Sequence, residues 1–348
     1  MNTELSRDRI SFVTRMLASE FGITPASVTP GPSGTATRNY VATAKSGAAW
    51  FVKTYPAGTG RTRAESAAAL SEYARLCRVP VARARYTVGR QQLVASDGEV
   101  SMSVTRYLGH TVTADGRLTG RRWEAVGEAI GRLHHGLARH RFGPPRLDAR
   151  DRAVDPGRSR SRLEGLVHHY ETDPPRTDFE RWALETARER LAGLPAVERL
   201  LESAPERTIS QLVHGDLSGP NVLLRGDEVA AVIDFAAPGR RSPMWELGRL
   251  ALDPRTVLAR PDWPEGLGRL AAVYHRHHPA VPVEELVSVV RLTAAYLGCT
   301  VYPLNTLVAG LGPVTDSLEA YARDRVEAAV VLRERLDEAE EVLRNHLR

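Results

Sequence analysis

Two short apolar runs separated by a polar turn stand out in the second half of the chain. The runs cover residues 222–224 and 229–233, and the residues between them, 225–228, read Arg-Gly-Asp-Glu. Apolar runs of this length on either side of such a turn are typical of a β-hairpin. The hairpin would hold Asn221 at its start and Asp234 at its end, so that oxygen atoms of both side chains could converge on one point.

The spacing of apolar residues predicts further helices and strands. Helical spacing occurs in residues 5–21, 61–70, 123–135, 178–201, from 243 onward and in 318–347. Strand-like runs occur in residues 28–42, as strand, turn and strand, and in 49–55, 92–94 and 101–109. Residues 141–162 are rich in Arg, Pro and Asp, which predicts a long loop. Residues 292–315 carry no charge but are too polar and too broken by Pro and Gly to span a bilayer, so buried helices are expected there.

Three polar side chains at fixed spacing accompany the hairpin. Asp216 precedes Asn221 by five residues, and Asp234 follows thirteen residues after that. Phosphoryl transfer requires a carboxylate that orients the attacking hydroxyl, together with an amide oxygen and a second carboxylate that hold Mg²⁺ on the nucleotide. The protein-kinase catalytic loop has this spacing. The alternative is a plain loop with an Asx turn, which three such groups between apolar strands make the weaker interpretation.

The same residues resemble the aminoglycoside phosphotransferase family, the antibiotic and small-molecule kinases related to choline kinases. The resemblance is carried by His214-Gly215-Asp216, Asn221 and Ile233-Asp234-Phe235, and it extends more loosely from about residue 28 to residue 252. It implies an α+β, protein-kinase-like fold of two lobes. The small N-lobe, with an antiparallel sheet and one main helix, would bind the nucleotide in residues 1–108. The larger and mostly helical C-lobe, residues 109–348, would hold the catalytic loop, the metal site and the substrate cleft.

The resemblance also implies a role for each residue of the catalytic region. Asp216 would orient the acceptor hydroxyl, and Asn221 and Asp234 would hold one or two Mg²⁺ ions on the phosphates of ATP or GTP. His214 would brace the loop through hydrogen bonds. Glu246 stands where family members usually carry an aspartate that supports the catalytic loop, so the longer acid would have to take that part.

The nucleotide would be held by the first lobe. Lys53, within the strand at 49–55, matches the lysine that neutralises the α- and β-phosphates in the family. Glu65 is the expected carboxylate partner of Lys53, with Glu72 as the alternative. The remaining nucleotide-binding candidates are a small-residue turn, Ser33, Gly34 and Thr35, and a segment lining the purine pocket with its backbone groups, Val104, Arg106, Tyr107 and Leu108.

Composition restricts the other function classes. The net charge is +5 and the excess is spread along the chain, which makes a nucleic-acid groove a weak hypothesis. Two cysteines form neither a disulfide framework nor a zinc site, and the histidines lack metal-ligand spacing. No secretory signal is recognisable at the N-terminus. We therefore expect a cytoplasmic monomer or homodimer without nucleic-acid or membrane partners.

The acceptor is less strongly specified than the chemistry. An antibiotic is the first hypothesis: an aminoglycoside, or a less cationic peptide or nucleoside antibiotic, modified at a hydroxyl as a resistance reaction. Residues 141–210 contain thirteen Arg and thirteen Asp plus Glu, which favours the less cationic group. The alternatives are a metabolic kinase for choline, homoserine or a sugar, and a nucleotide-binding pseudokinase, which usually lacks one of the catalytic residues retained here. The acids of the last helix, Asp337, Glu338, Glu340 and Glu341, are expected on a solvated face.

Overall fold

Strands are concentrated in the first third of the chain and helices in the remainder. The computed structural model describes residues 2–32, 37–55 and 61–348, with side chains described from residue 8 onward. The helices are α1 (Asn2–Phe21), α2 (Arg61–Leu76), α3 (Arg122–Ala138), α4 (Pro156–Thr172), α5 (Asp178–Glu202), α6 (Pro243–Ala251), α7 (Pro254–Ala259), α8 (Trp263–His277), α9 (Val283–Val287), α10 (Val289–Cys299), α11 (Asp316–Glu334) and α12 (Leu336–His346). The strands are β1 (Pro25–Pro30), β2 (Arg38–Ala44), β3 (Ala49–Tyr55), β4 (Val94–Ser96), β5 (Ser101–Arg106), β6 (Val112–Thr113), β7 (Arg146–Ala149), β8 (Arg207–Leu212), β9 (Val222–Arg225), β10 (Glu228–Val232) and β11 (Arg240–Arg241).

The chain divides into two compact units whose boundaries do not follow the sequence order. The first unit comprises Met1–Val112, His214–Asp216 and Asn221–Gly239, and the second comprises Thr113–Val213, Leu217–Pro220 and Arg240–Arg348. The predicted second lobe, residues 109–348, contains segments of both units. The β9–β10 hairpin groups with the first unit because Val232 donates its backbone N–H to the Pro80 carbonyl at 2.8 Å and forms a parallel bridge with Val81.

The first unit is built on a five-stranded antiparallel sheet with the strand order β1-β2-β3-β5-β4. Helix α1 covers one face of this sheet. Its apolar stripe, including Leu17 and Phe21, packs with Val52 and Val104 in one buried cluster. Successive side chains of a strand point to opposite faces. Lys53 therefore lies on the face of β3 that α1 does not cover.

The second unit is mostly helical, and its helices pack at very short range. Helices α3 and α8 approach each other closely, and Gly131 of α3 leaves no room for a side chain. A Cβ atom at this position would lie 2.8 Å from both the Tyr274 carbonyl oxygen and the His277 Cβ. The small residue therefore sets the spacing of the two helices. Strands β11, β8 and β7 form a small antiparallel sheet in this unit.

Two helix boundaries depart from the sequence prediction. The expected loop at residues 141–162 contains β7 and the first turns of α4, because Asp155 caps that helix and Pro156 occupies its first position. The expected single helix at residues 318–347 is broken at Arg335 into α11 and α12. By contrast, α5 begins where predicted, with a capping box between Thr177 and Glu180.

The antiparallel sheet combined with a large helical unit confirms the α+β fold class. The predicted hairpin is also present, with Arg225 paired to Glu228 across a two-residue turn. Strand β3 occupies residues 49–55, as predicted. No helix in the described part of the chain has the length and apolar character needed to cross a bilayer.

Candidate active site

The predicted catalytic loop is held in place by a buried histidine, His214. The ring of His214 donates from Nε2 to the Ile233 carbonyl at 2.9 Å and accepts from the Asp216 backbone N–H at Nδ1, at 3.2 Å. Its backbone carbonyl accepts from Ala236 at 3.0 Å. The imidazole also packs on Phe235, with 4.3 Å between ring centroids. His214 therefore ties the segment that carries Asp216 to the segment that carries Asp234.

A glycine next to this histidine permits the close contact. Gly215 has φ of +94°, a left-handed conformation that L-residues with side chains rarely adopt. A Cβ atom at Gly215 would lie 2.6 Å from the Cβ of Ala236. Both the backbone conformation and the lack of space therefore require glycine between His214 and Asp216.

Asp216 and Asn221 are linked directly. The Asn221 side chain donates from Nδ2 to the Asp216 carbonyl at 2.8 Å, across a short 3₁₀ turn at Gly219–Asn221. The Asn221 carbonyl in turn accepts from the Ile233 N–H at 2.9 Å. The Asp216 side chain lies at the surface. Asp216, Asn221 and the residue preceding Asp234 thus belong to one hydrogen-bonded assembly.

Lys53 and Asp234 form an ion pair. The Nζ of Lys53 contacts Oδ1 of Asp234, and the two side chains are 18% and 47% exposed. Asp234 has φ of +62°, in the left-handed region where Asp and Asn are enriched among non-glycine residues. Asp234 lies two residues after the end of β10. Lys53 and Asp234 are 181 residues apart in the sequence, and both belong to the first compact unit.

The donor set formed by Asn221 and Asp234 fits a hard divalent cation. Because the Asn221 amide nitrogen donates to Asp216, its oxygen is the atom left to face a cation. Amide and carboxylate oxygens are the ligands that Mg²⁺ takes in proteins. No group of three or more His, Cys, Asp or Glu side chains suited to a metal occurs among the described residues. A Mg²⁺ ion here would therefore be completed by water and substrate phosphates.

The structure pairs Lys53 neither with the predicted Glu65 nor with the alternative Glu72. Glu65 accepts from Arg61, one helical turn earlier, at 2.7 Å, and Glu72 is paired with Arg75 at 2.6 Å. Each glutamate therefore pairs with an arginine about one turn away on its own helix. In the structure described, Lys53 is paired with Asp234 and not with either glutamate.

Part of the segment predicted to line the purine pocket uses its backbone groups for hydrogen bonds within the first unit. The Val104 side chain is buried against α1 and its carbonyl accepts from Arg85 at 2.8 Å. The backbone N–H groups of Arg106 and Tyr107 donate to Arg83 and Ala49, at 2.8 and 3.0 Å. The Val104 carbonyl and the Arg106 N–H are therefore already hydrogen-bonded within the sheet region.

In that segment, the backbone N–H of Leu108 stays a candidate for binding the purine. Within the described ranges, its N–H enters no backbone hydrogen bond. The predicted phosphate-facing turn, Ser33, Gly34 and Thr35, lies outside the described residues.

Glu246 belongs to a fully buried polar network in the second unit. Nε2 of His134 lies 3.1 Å from Glu246, and Nδ1 of His134 lies 2.9 Å from the Tyr274 hydroxyl. Gln211 donates to the His134 carbonyl at 2.8 Å and contacts Nε2 of His278 at 3.0 Å. Gln211 stands three residues before His214, so the network holds the strand that leads into the predicted catalytic loop. Neither Gln211 nor His278 is among the predicted site residues.

Burial controls the ionisation of this network. It lowers the pKa of His278 to about 3, with further lowering by His134, His135 and His275. Burial also raises the pKa of Tyr274 well above its ordinary value, helped by Glu246 and Glu285. His278 is therefore neutral in the folded protein over the physiological range.

One of the C-terminal acids is not solvated, contrary to the prediction. Glu340 is 6% exposed and is paired with Arg291 and Arg344, each at 3.0 Å. Glu338 pairs with the neighbouring Arg335 at the surface. Glu340 therefore ties α12 to α10.

Comparison with known families identifies the chain. A family model described as the phosphotransferase enzyme family, APH, matches residues 27–283. The chain belongs to this family. The resemblance inferred from the His-Gly-Asp motif is thereby confirmed, and the protein is a phosphotransferase. A search of curated proteins finds no sequence match to this chain.

Solved structures with the same fold cover almost the whole chain. The AMP-bound complex of spectinomycin phosphotransferase has a TM-score of 0.61 at 14% identity and covers 96% of this chain and 97% of its own. Amicoumacin kinase in complex with AMP-PNP and Ca²⁺ has a TM-score of 0.60 at 16% identity, with coverage of 95% and 96%. Choline kinase from Streptococcus pneumoniae has a TM-score of 0.55 at 14% identity, with coverage of 92% and 98%. At these identities the likeness establishes the fold alone.

Proposed function

We propose that this enzyme transfers the γ-phosphate of ATP or GTP, in a Mg²⁺-dependent reaction, to a hydroxyl of a small antibiotic. The observation that carries the proposal is the assembly of Asp216, Asn221, Asp234 and Lys53 within the first compact unit, through His214 and the ion pair. These are the side-chain types that phosphoryl transfer requires at this spacing.

Asp216 is proposed as the residue that orients the acceptor. Its side chain is exposed and its backbone N–H is fixed by His214, so the carboxylate is held at the surface on a rigid support. It would accept a hydrogen bond from the attacking hydroxyl and take its proton as the new P–O bond forms. The bond between the γ-phosphorus and the β-phosphate oxygen breaks in the same step and releases the nucleoside diphosphate. Positioned proton acceptors contribute about 10²- to 10⁴-fold to such rates.

Lys53 and Asp234 are proposed to exchange partners on nucleotide binding. In their ion pair each group neutralises the other. A bound nucleotide offers Lys53 its phosphate oxygens and leaves Asp234, with Asn221, to hold Mg²⁺. The ion would supply charge stabilisation at the phosphates when bound. The ion pair thus keeps both side chains positioned without leaving a charge unpaired.

A less cationic antibiotic is the favoured acceptor class. Residues 141–210 contain thirteen Arg and thirteen Asp plus Glu, so this part of the chain carries no acidic excess. A polycationic aminoglycoside would require a local excess of acids.

The names of the structural neighbours do not choose between acceptors. Two are named for antibiotics, spectinomycin and amicoumacin, and one for choline. One fold can host many acceptors, because specificity resides in the site. A metabolic alcohol therefore stays the alternative.

A mass-spectrometric screen tests the proposal. Purified enzyme, Mg²⁺ and either ATP or GTP are incubated with aminoglycosides, peptide and nucleoside antibiotics, macrolides, choline, homoserine and sugars. We expect one added phosphate on a neutral or weakly cationic antibiotic. Phosphorylation of choline, homoserine or a sugar alone would replace the antibiotic assignment with the metabolic one. Nucleotide binding without any phosphorylated product would favour the pseudokinase.

A further inference from the structure

Two arginines lie directly opposite each other in the sheet of the first unit. The segment at residues 83–85 pairs antiparallel with β5, through a bridge between Ala84 and Thr105 and the hydrogen bond from Arg106 N–H to the Arg83 carbonyl at 2.8 Å. This register places Arg83 across from Arg106. Arg106 is in turn paired with Trp50 of β3. The three side chains therefore form one row across three strands.

A third arginine joins the row on the same face. Arg85 lies two residues after Arg83, so its side chain points to the same side of the segment. Its guanidinium lies 5.9 Å from the Trp50 ring centroid, and that of Arg106 lies 5.7 Å from the same centroid. Nε of Arg85 donates to the Phe21 carbonyl at 3.1 Å, which fixes its position.

The row borders a cavity of the first unit with a volume of about 650 Å³. Its charged lining is completed by Glu72 and Arg75, which neutralise each other in a multidentate pair. Tyr86 adds an aromatic wall. Among the described residues, no carboxylate forms an ion pair with the arginines of the row. The cavity therefore carries three positive charges without an anionic partner.

This arrangement contradicts the ordinary rule for strand pairs. Like charges directly opposite each other across two strands destabilise the sheet. Guanidinium groups are, however, the preferred ligands of phosphate, which they bind through two parallel hydrogen bonds. A bound anion would turn the repulsion into binding energy.

We propose that this cavity binds a small, multiply charged, phosphate-bearing molecule. The site lies on the face of the sheet that carries Trp50 and Val52, opposite the face that carries Lys53. It is therefore separate from the proposed phosphotransfer site and does not depend on it. The concave shape favours a small molecule over an extended polyanion.

The test measures binding of inorganic tripolyphosphate in EDTA, without Mg²⁺ or nucleotide, by calorimetry and thermal unfolding. Ionic strength is matched with sodium chloride. We expect saturable binding with a rise in Tm for the wild type, and Arg83→Gln should weaken the affinity by about tenfold or more. Arg83→Lys should recover only part of the affinity, because lysine cannot bind phosphate bidentately.

Two controls separate this site from general charge and from the phosphotransfer site. Arg90→Gln removes an exposed arginine from the same segment that does not line the cavity, and should leave the affinity unchanged. Lys53→Met should also keep it, whatever it does to phosphate transfer.

Three results would overturn the proposal. They are absence of tripolyphosphate binding, an equal loss in Arg83→Gln and Arg90→Gln, and a loss confined to Lys53→Met. Equal affinity for citrate would overturn the phosphate assignment. Binding of a single-stranded oligonucleotide in place of tripolyphosphate would show a nucleic-acid surface instead.

Discussion

At the scale of single residues, Asp234 joins an unusual backbone conformation to a charge that the proposed chemistry needs. Asn tolerates the left-handed conformation as well as Asp does, so Asp234→Asn removes the charge and little else. We expect phosphate transfer to fall by about 10²-fold or more, because the ligand charge for Mg²⁺ is lost. The free energy of unfolding should change by less than about 1 kcal/mol, since the ion pair with Lys53 is partly exposed.

Initial rates across a Mg²⁺ titration, with urea unfolding beside them, check this expectation. Asp227→Asn, in the exposed hairpin turn, is the matched control. A variant at position 234 with the wild-type rate at ordinary Mg²⁺ would show that Asp234 is not a metal ligand.

Residue spacing predicted the hairpin that lies between Asn221 and Asp234, but not the partner of Lys53. The interval between Asp216, Asn221 and Asp234 is set by a loop and a short hairpin, and such local geometry can be inferred from turn residues. The partner of Lys53 could not be inferred in this way, because it depends on which carboxylate lies beside Lys53 in the folded protein. Glu65 has Arg61 one turn away on its own helix, and this local competitor was overlooked.

At the scale of elements, close helix packing at Gly131 predicts that alanine substitutions at two helical glycines change the stability in opposite directions. Gly131→Ala should destabilise the protein by about 1–3 kcal/mol, because its Cβ would overlap α8 at 2.8 Å. Gly165→Ala, in α4, meets nothing within 4 Å and should stabilise by about 0.5–1 kcal/mol through helix propensity. Urea denaturation of both variants measures the difference. Equal effects at the two sites would mean that α3 and α8 are less tightly packed than described.

Element boundaries followed the sequence wherever local signals were interpreted. The Gly-containing turn between β9 and β10 and the capping box of α5 are both visible as residue patterns. The start of α4 was missed although Asp155-Pro156 is a recognisable capping pair, because the Arg-rich composition suggested a loop. The break at Arg335 has no such signal, since apolar periodicity continues through it.

At the scale of the whole molecule, the buried histidine network couples stability to pH. The unfolded chain binds a proton at His278 near pH 6.5, whereas the folded protein does so only near pH 3. The unfolded state therefore gains protons first, and His278 lowers the stability as pH falls from 6.5 toward 3. The slope from this group approaches about 1.4 kcal/mol per pH unit.

The comparison of His278→Gln with the wild type isolates this term. The free energy of unfolding of the variant should fall less steeply between pH 6.5 and pH 5. His168→Gln, at an exposed histidine, should retain the wild-type slope. Parallel curves for all three proteins would place the acid sensitivity elsewhere.

Global composition said little about the sites. The net charge of +5 is dispersed in the sequence, yet the sheet register gathers Arg83, Arg85 and Arg106 on one face. Such clustering follows from strand pairing over long sequence distances, which local patterns do not encode. Family membership and catalytic spacing, in contrast, are local properties of the motif around Asp216.

The most direct test of the account is phosphate transfer by Asp216→Asn, measured by mass spectrometry with the acceptor identified for the wild type. Nucleotide binding is measured in parallel by calorimetry. We expect a loss of turnover of about 10²-fold or more with nucleotide affinity retained, and unchanged turnover in Asp227→Asn. Transfer by Asp216→Asn at the wild-type rate would contradict the assignment of the catalytic residue and of the mechanism built on it.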